Sequence, residues 1–195
     1  MAREEQKMRS DGVRQAILDT ALLMGLEEGF EEVSVRKIIK KMKYSTGVIY
    51  YHFKDKQEII DAIIENETKW LHSQIRELLD ESKDAVSNML CVFNRVMRLA
   101  FEEPEKYNLI VLHKYSRQLP ERPQWISYLS ENFKRDIQKG IMKEMDTEKV
   151  AFSIWSSFLG FNLMISRQQD LNLQQAEELF QVQCEIILKG VLKHE

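Results

Sequence analysis

The sequence predicts an all-α protein, and three observations support that fold class. The 195 residues include only 7 glycines and 3 prolines, too few for the many turns of a β-sandwich. Leu, Ile, Glu, Lys, Gln and Met, which form helices readily, are plentiful. Apolar residues also recur at spacings of three and four, the pattern of a helix that buries one face. A chain of this length can bury a substantial core.

The N-terminal part of the chain is predicted to hold three helices. The first runs from about Ser10, which can cap it, to Glu28, and Gly29 supplies the stop. Ser34 can cap a second, short helix over 35–42, whose apolar side chains face inward while its basic side chains face solvent.

A three-residue turn over 43–45 leads to a third helix that ends near Phe53. Ser45 can cap this helix, and Ile49 and Phe53, four residues apart, would anchor it to the preceding helices. Two helices of about two turns joined by so short a turn form a helix-turn-helix. The motif is predicted over about 34–53.

The remainder of the chain is also predicted to be helical. Asp55 and Glu58 form a capping box at the start of a helix that extends to about Glu81, and its length of about 40 Å can link two domains. Pro120 and Pro123 bracket a loop. Further helices are predicted from Ser82 or Asp84 to Pro104, over 105–115, over 124–145, from Asp146 or Thr147 onward, and over 173–193.

The last two helices are unusually apolar, which bears on how they are buried. Residues 150–166 carry no charge, but this run of 17 residues includes five Ser or Asn residues and is short for a bilayer of about 30 Å. A helix buried on all sides, in the protein or in an oligomer, is predicted instead, with no membrane span. The final helix has two apolar rows. We predict that one row packs into the core of its own chain and that the other packs against a partner. The rows are Leu179, Val182 and Ile186, and Phe180, Cys184, Ile187 and Val191.

The cysteines and the first residues indicate the compartment. Cys91 and Cys184 are far apart in a chain without a C-x-x-C pair or clustered histidines, so neither a disulfide framework nor a structural metal site is expected. The start of the chain is charged and has no apolar segment, so no signal peptide is expected. A cytoplasmic protein fits both observations.

The charge is distributed unevenly along the chain. The net charge is −3, yet residues 36–56 hold seven basic residues and one acidic residue, a local charge of +6. The remaining residues carry 21 basic and 30 acidic side chains, a charge of −9. The sequence therefore predicts a small basic module attached to an acidic body. Lys and Arg beside a groove-entering helix are what a nucleic-acid duplex requires, although a basic run can also be only a solvated face.

Four stretches of sequence then resemble one family. RQAILDTA over 14–21, GF over 29–30, SVRKI over 34–38 and GVIYYHFKDK over 47–56 closely resemble the N-terminal domain of the tetracycline-repressor (TetR) family of bacterial transcription regulators. The resemblance covers about 10–65.

The sequence departs from the family pattern at two places. Ile39 stands where the family usually has alanine, and Met-Lys-Tyr-Ser over 42–45 stands where it has Ala-Gly-Val-Ser. The larger Ile39 and Tyr44 are expected to require repacking between the helices, and the turn lacks its usual glycine.

The resemblance implies a division of labour along the chain. Residues 10–56 would form a DNA-binding domain and 57–195 a helical ligand-binding and dimerisation domain. It implies a homodimer that binds a palindromic DNA operator, and repression that a small molecule relieves. No cofactor or metal is expected, and the effector would be largely apolar.

The DNA-contacting residues follow from matching positions. They are Ser34, Arg36, Lys37, Ser45, Thr46, Gly47, Val48, Tyr50, Tyr51, His52, Lys54 and Lys56. Ser34, Tyr50, His52 and Lys56 would hold the phosphate backbone, Thr46, Gly47, Val48 and Tyr51 would read bases, and Arg36 would reach toward a guanine. Outside such a motif, the two tyrosines would be interpreted as packing aromatics.

Two further sets of residues are predicted in the body. An apolar ligand cavity could be lined by Phe93, Met97, Tyr107, His113, Trp125, Tyr128, Trp155 and Phe158, although such residues can equally be ordinary core. The dimer interface is predicted at Trp155, Leu159, Phe180, Cys184, Ile187 and Val191.

Two other classes of protein compete with a ligand-responsive regulator. An enzyme is disfavoured because the chain has no H-E-x-x-H, Glu-x-x-His, G-x-x-x-x-G-K-[ST] or G-x-S-x-G motif and only four scattered histidines. A DNA-binding factor for division-site or nucleoid positioning, without a ligand, remains an alternative.

Overall fold

The architecture is helical throughout the part of the chain that the structure describes. A computed structural model gives residues 2–80, 82–116, 124–168 and 170–192. The helices are α1 (Ala2–Glu28), α2 (Val35–Met42), α3 (Thr46–His52), α4 (Lys56–Leu78), α5 (Ala85–Glu102), α6 (Pro104–Ile110), α7 (Gln124–Gln138), α8 (Thr147–Ile165) and α9 (Leu173–Val191). These ranges contain no β-strand, which confirms the all-α prediction. The predicted loop at Pro120 and Pro123 and the predicted helix ends at Glu81 and Lys193 lie outside the described residues.

The chain divides into two compact units, and the division falls within α4. The first unit comprises Met1–Leu71 and Glu105–Leu119, and the second comprises His72–Pro104 and Pro120–Glu195. None of the described helices combines the length and apolar character needed to cross a bilayer.

Helices α1, α2 and α3 pack together in the first unit. Ile17, Ile38, Ile49 and Phe53 are buried between them, as the apolar spacing predicts. Helix α1 begins at Ala2 rather than at Ser10, because the preceding residues AREEQKMR are good helix formers that continue the helix toward the N-terminus.

The two ends of the helix-turn-helix are capped differently. The Ser34 hydroxyl accepts a hydrogen bond from the backbone N–H of Lys37 (3.2 Å), which confirms it as the cap of α2. Ser45 occupies the cap position of α3, as predicted, but its side chain accepts no hydrogen bond there. Its backbone carbonyl instead accepts the N–H of Val48 (3.1 Å).

The turn of the motif accommodates both departures from the family pattern. Lys43 adopts φ of +58°, the left-handed conformation for which a glycine is usual. Tyr44 is exposed rather than wedged between the helices, so the expected repacking around it does not occur. Ile39 is only half-buried.

In the segment between α1 and α2, the ring of Phe30 packs closely against α1 at Gly25. A Cβ atom on Gly25 would lie 2.4 Å from the ring of Phe30, which is fully buried. Gly29 ends α1 with φ of +90°. The glycine at position 25 therefore allows Phe30 to fold back against α1.

Aromatic side chains form much of the core of the second unit. The rings of Phe93 on α5 and Phe158 on α8 stack with centroids 4.0 Å apart. Trp155 lies 6.0 Å from Phe158 and 6.4 Å from Trp125 of α7, again between centroids. The cluster joins α5, α7 and α8.

Two predicted helices end early. Helix α7 stops at Gln138 rather than Met145, because Gly140 takes φ of +77° and the Asp136 carbonyl accepts the N–H of Ile141 (2.9 Å). A single antiparallel bridge then pairs residues 142 and 192.

Helix α6 stops at Ile110 rather than near residue 115. The Tyr107 carbonyl accepts the N–H groups of both Val111 and Leu112, and His113 follows with φ of +50°, so the helical repeat is broken.

Candidate nucleic-acid interface

Helix α3 presents polar and aromatic side chains on the side opposite its buried anchor. Ile49 faces the core, and at 100° per residue the positions of Gly47, Tyr50 and Tyr51 turn away from it. Thr46 lies one turn before Ile49 and is exposed at the start of the helix. All four are exposed, and Tyr51 has 78% of its surface accessible to solvent. The predicted base-reading residue Val48 is only half-buried at the edge of this face.

The two aromatic rings at the end of α3 contact each other. The rings of Tyr51 and His52 meet edge to face with centroids 5.0 Å apart. His52 is half-buried and therefore holds one side of the more exposed Tyr51.

Four exposed cations lie on the segments that precede and follow α3 in the chain. Arg36, Lys40, Lys43 and Lys54 are exposed and form no ion pair with any residue that the structure describes. Unpaired, exposed cations can release counterions when they contact phosphates. They are the strongest candidates for affinity among the basic residues of the segment 36–56.

Lys37 differs from these four cations. Its ammonium group donates to Glu28 (3.0 Å) and to Glu32 (3.3 Å). The hydrogen bond to Glu28 raises the pKa of Lys37, and its charge is already neutralised by two carboxylates. The structure therefore makes Lys37 a weaker DNA-contact candidate than the sequence indicates.

The start of α4 is organised by Lys56 and its neighbours. The Lys56 ammonium donates to the carbonyl of Glu31 (2.8 Å), which leaves two of its three N–H donors for other groups. Asp55 accepts the N–H of Glu58 (2.8 Å), as predicted. The Glu58 carboxylate also accepts the N–H of Lys54 (2.6 Å).

The predicted ligand-lining residues are divided between the two units. Tyr107 and His113 belong to the first unit, and the other six belong to the second. Phe93, Met97, Trp155 and Phe158 are buried in the protomer core, whereas Tyr128 is exposed. Trp125, half-buried, joins the aromatic cluster.

A groove elsewhere on the second unit has a volume of about 570 Å³ and is lined by residues of α4, α5 and α9. Within the described ranges, no cluster of three or more His, Cys, Asp or Glu could hold a metal ion.

The burial of the two apolar rows of α9 is the reverse of the predicted interface. Phe180, Cys184 and Val191 are buried within one protomer, and so is Trp155 of α8. Leu159 and Ile187 are half-buried. These residues serve the protomer core and have little surface to offer a partner.

The exposed apolar surface consists of other residues. We call Leu179, Val182 and Ile186 the outer row of α9; Ile186 is 65% exposed. Helix α8 is not buried on all sides in one protomer and adds Phe152, Leu163 and Met164 to the exposed apolar set. The spacing identified both rows of α9 but could not decide which one faces the core.

A helix-turn-helix whose second helix is exposed and flanked in sequence by basic residues is the arrangement found in helix-turn-helix DNA-binding proteins. The sequence model described as "Bacterial regulatory proteins, tetR family" matches residues 17–63. Over those residues the chain is similar to this family. That model describes regulatory proteins rather than enzymes.

Relatives and solved structures extend the likeness beyond the matched domain. The transcriptional repressor KstR2 of Mycobacterium tuberculosis is 23% identical over 124 residues, 63% of this chain and 60% of KstR2, so the aligned segment spans less than two thirds of that relative. The nucleoid occlusion factor SlmA of Vibrio vulnificus is 22% identical over 172 residues, 88% of this chain and 86% of SlmA.

The structure of KstR2 matches with a TM-score of 0.67 at 19% identity, over 93% of this chain and 95% of that one. AibR, solved with isovaleryl coenzyme A and operator DNA, matches with a TM-score of 0.66 at 22% identity, over 87% of this chain and 97% of that one. At these identities the structural matches establish the fold.

Proposed function

We propose that this protein is a transcriptional repressor that binds an operator in double-stranded DNA through α2 and α3. The observation that carries the proposal is the exposed face of α3, where Tyr50 and Tyr51 stand beside unpaired cations of the same unit. Such a helix enters the major groove, its exposed side chains read base edges, and the flanking cations contact phosphates. A protein that binds bacterial chromosomal DNA works in the cytoplasm, so the proposal includes that location.

The repressor acts as a homodimer in this proposal. The outer row of α9 and the exposed apolar residues of α8 support it, because large apolar side chains that are exposed in rows are often covered by a partner. A symmetric pair of such faces forms an isologous interface. The two copies of α3 would then reach successive major grooves about 34 to 36 Å apart on a palindromic operator.

A small molecule relieves the repression in this proposal. Support comes from AibR, which was solved with both isovaleryl coenzyme A and operator DNA. KstR2 is described as a ketosteroid transcriptional regulator. Regulation of this kind requires only that ligand and DNA prefer different conformations, with a coupling free energy of about 1 to 3 kcal/mol.

A second candidate is a nucleoid-positioning factor that takes no ligand. The match to SlmA supports it, because that alignment covers 88% of this chain. Such a protein would bind many dispersed sites rather than control adjacent genes.

Footprinting on the DNA beside the protein's own gene, combined with genome-wide occupancy, distinguishes the two candidates. For a repressor we expect one short protected palindrome, released by a compound in a panel of metabolites and drugs. Many dispersed sites that no compound releases would favour the nucleoid factor. Absence of any protected site would contradict both.

A further inference from the structure

An open groove of about 570 Å³ lies on the second unit, bordered by α5, α9 and the last turn of α4. Leu78, Leu90 and Phe180 give it an apolar floor. The ring of Phe180 lies 6.3 Å from that of Phe158, so the floor is continuous with the aromatic core. The volume is in the range of small-molecule sites.

The groove and the proposed dimer face lie on different sides of α9. At 100° per residue, Glu177 and Gln181, which line the groove, project to one side of the buried Phe180. The outer row of α9 projects to the other side. A second protomer that covers the outer row therefore leaves the groove accessible.

The wall of the groove is cationic. Arg95 and Arg98 lie one turn apart on α5 and both line it. The guanidinium of Arg98 forms an ion pair with the carboxylate of Glu177, and the two side chains are 39% and 34% exposed. The carboxylate of Glu102, one turn further along α5, lies 3.9 Å from the same guanidinium. The pair shows that a carboxylate fits against Arg98 at a place that solvent reaches. A guanidinium binds a carboxylate through two parallel N–H donors.

From this juxtaposition we propose that the groove binds an amphipathic carboxylate. The acid group of the ligand contacts Arg98 and Arg95 in place of the internal carboxylate of Glu177, and its apolar body lies on Leu78, Leu90 and Phe180. The proposal deepens the ligand response proposed above, on which it rests, by naming the site and the chemical class of the ligand. It differs from the ligand-lining set that the sequence predicts, because those aromatic residues pack against each other.

The groove contains its own chemical reporter. The only two cysteines of the chain, Cys91 and Cys184, both line it, and both thiols are free. Cys184 is buried, and this burial raises the pKa of its thiol to about 11, so it reacts slowly with alkylating reagents. Cys91 is only half-buried. A ligand in the groove is therefore expected to slow the alkylation of Cys91.

The test compares decanoate with decan-1-ol, which share an apolar chain and differ in the head group. Binding to the DNA-free protein is measured by calorimetry, and iodoacetamide labelling of Cys91 is followed by peptide mass spectrometry. We expect decanoate to bind more tightly than the alcohol and to protect Cys91. Arg98→Gln should weaken decanoate binding about tenfold, the loss expected for a charge-assisted hydrogen bond. Glu177→Gln should strengthen it, because the competing carboxylate is removed.

Arg135→Gln on α7 is the matched control, since it removes an exposed arginine that does not line the groove. Each variant is used only if its far-UV circular dichroism and thermal midpoint match those of the wild type. Equal affinities for acid and alcohol, unprotected Cys91, or a Glu177→Gln variant without tighter binding would overturn the proposal. Because DNA is absent, a negative result leaves operator binding standing, and loss of operator binding leaves the groove assignment standing.

Discussion

Two lysines of the helix-turn-helix segment carry the same charge in different surroundings. Lys37 donates to the carboxylates of Glu28 and Glu32, whereas Lys54 is exposed and forms no ion pair with a described residue. A cation that already has two anionic partners gains less from a phosphate than one that has only water. Their contributions to DNA binding should therefore differ.

Lys54→Gln should reduce the salt dependence of DNA binding more than Lys37→Gln does. Removing a single interaction between a cation and a phosphate lowers the slope of log K against log salt by about 0.9. We expect a change of that size for Lys54→Gln and a clearly smaller one for Lys37→Gln. The slope is measured by fluorescence anisotropy between about 50 and 200 mM salt, the range over which such interactions respond.

Lys69→Gln serves as the control, because Lys69 lies on α4 and pairs with Glu65 at 2.5 Å. It should leave the slope unchanged. Equal slopes for the wild type and Lys54→Gln would contradict the phosphate-binding role assigned to Lys54.

The packing of Phe30 against α1 gives a second prediction at the residue scale. Gly25→Ala should destabilise the protein, because the new Cβ would lie 2.4 Å from the Phe30 ring. Overpacking of a buried site costs about 1 to 3 kcal/mol, which urea unfolding can detect. Gly12→Ala is the matched control in the same helix: its Cβ meets nothing within 4 Å, and it should be neutral or stabilising. Equal stability of the two variants would show that Phe30 does not need a glycine beside it.

At the scale of elements, the segment after α6 is attached to the rest of the first unit through Tyr115. Its hydroxyl donates to Glu31 (3.0 Å) and Glu105 (2.8 Å) and accepts from Lys114 (3.0 Å). Its ring lies 5.3 Å from that of Phe30, between centroids. Burial raises the pKa of Tyr115 to about 12, and its bonds to the two carboxylates act in the same direction.

This pKa shift predicts how stability falls in alkali. Between pH 10, the ordinary pKa of tyrosine, and about 12, the unfolded chain ionises Tyr115 while the folded chain keeps it protonated. Ionisation then favours the unfolded state, so the contribution of Tyr115 to stability is lost as the pH rises through that interval. Tyr115→Phe should show a shallower decline of the thermal midpoint above pH 10 than the wild type. Parallel profiles for the two proteins would mean that the hydroxyl titrates normally in the folded state.

The helices that the sequence predicts well are those with local boundary signals. The bounds of α2 follow from the Ser34 cap and the apolar spacing, and the buried anchors Ile49 and Phe53 follow from the same pattern. The family resemblance predicts that the exposed residues of α3 contact DNA. Most of the candidate interface is therefore readable from the sequence.

The errors occur where distant contacts or left-handed residues decide the structure. Lys43 takes a left-handed conformation without being glycine, and α7 ends early at Gly140. The ion pairs of Lys37 depend on how α1 meets α2. The rows of α9 are equally apolar, so only the tertiary structure shows that Phe180 is inside and Ile186 outside.

In the whole molecule, the basic charge and the exposed apolar residues lie on different parts of the chain. The segment 36–56 carries +6, and the rest of the chain carries −9, which repels phosphate from other surfaces. The outer row of α9 offers apolar surface in the other compact unit.

Ile186→Asp should dissociate the proposed dimer. A carboxylate buried in an apolar interface without a partner costs about 3 kcal/mol or more, at least about a hundredfold in the dissociation constant. Light scattering coupled to size exclusion should give a dimer for the wild type and a monomer for the variant. Tyr128→Asp, at an exposed aromatic residue of α7, should remain dimeric. A monomeric wild type, or an unaffected Ile186→Asp, would refute the interface.

Selection from a library of random DNA duplexes tests whether a dimer of this protein recognises an operator through α3. The wild type should enrich an inverted repeat whose half-site centres are about 34 to 36 Å apart. A folded variant with both Tyr50→Ala and Tyr51→Ala should lose that enrichment, because it lacks the largest exposed side chains of the helix. A wild type that enriches no inverted repeat, or a double variant that enriches the same repeat as the wild type, would contradict operator recognition by α3.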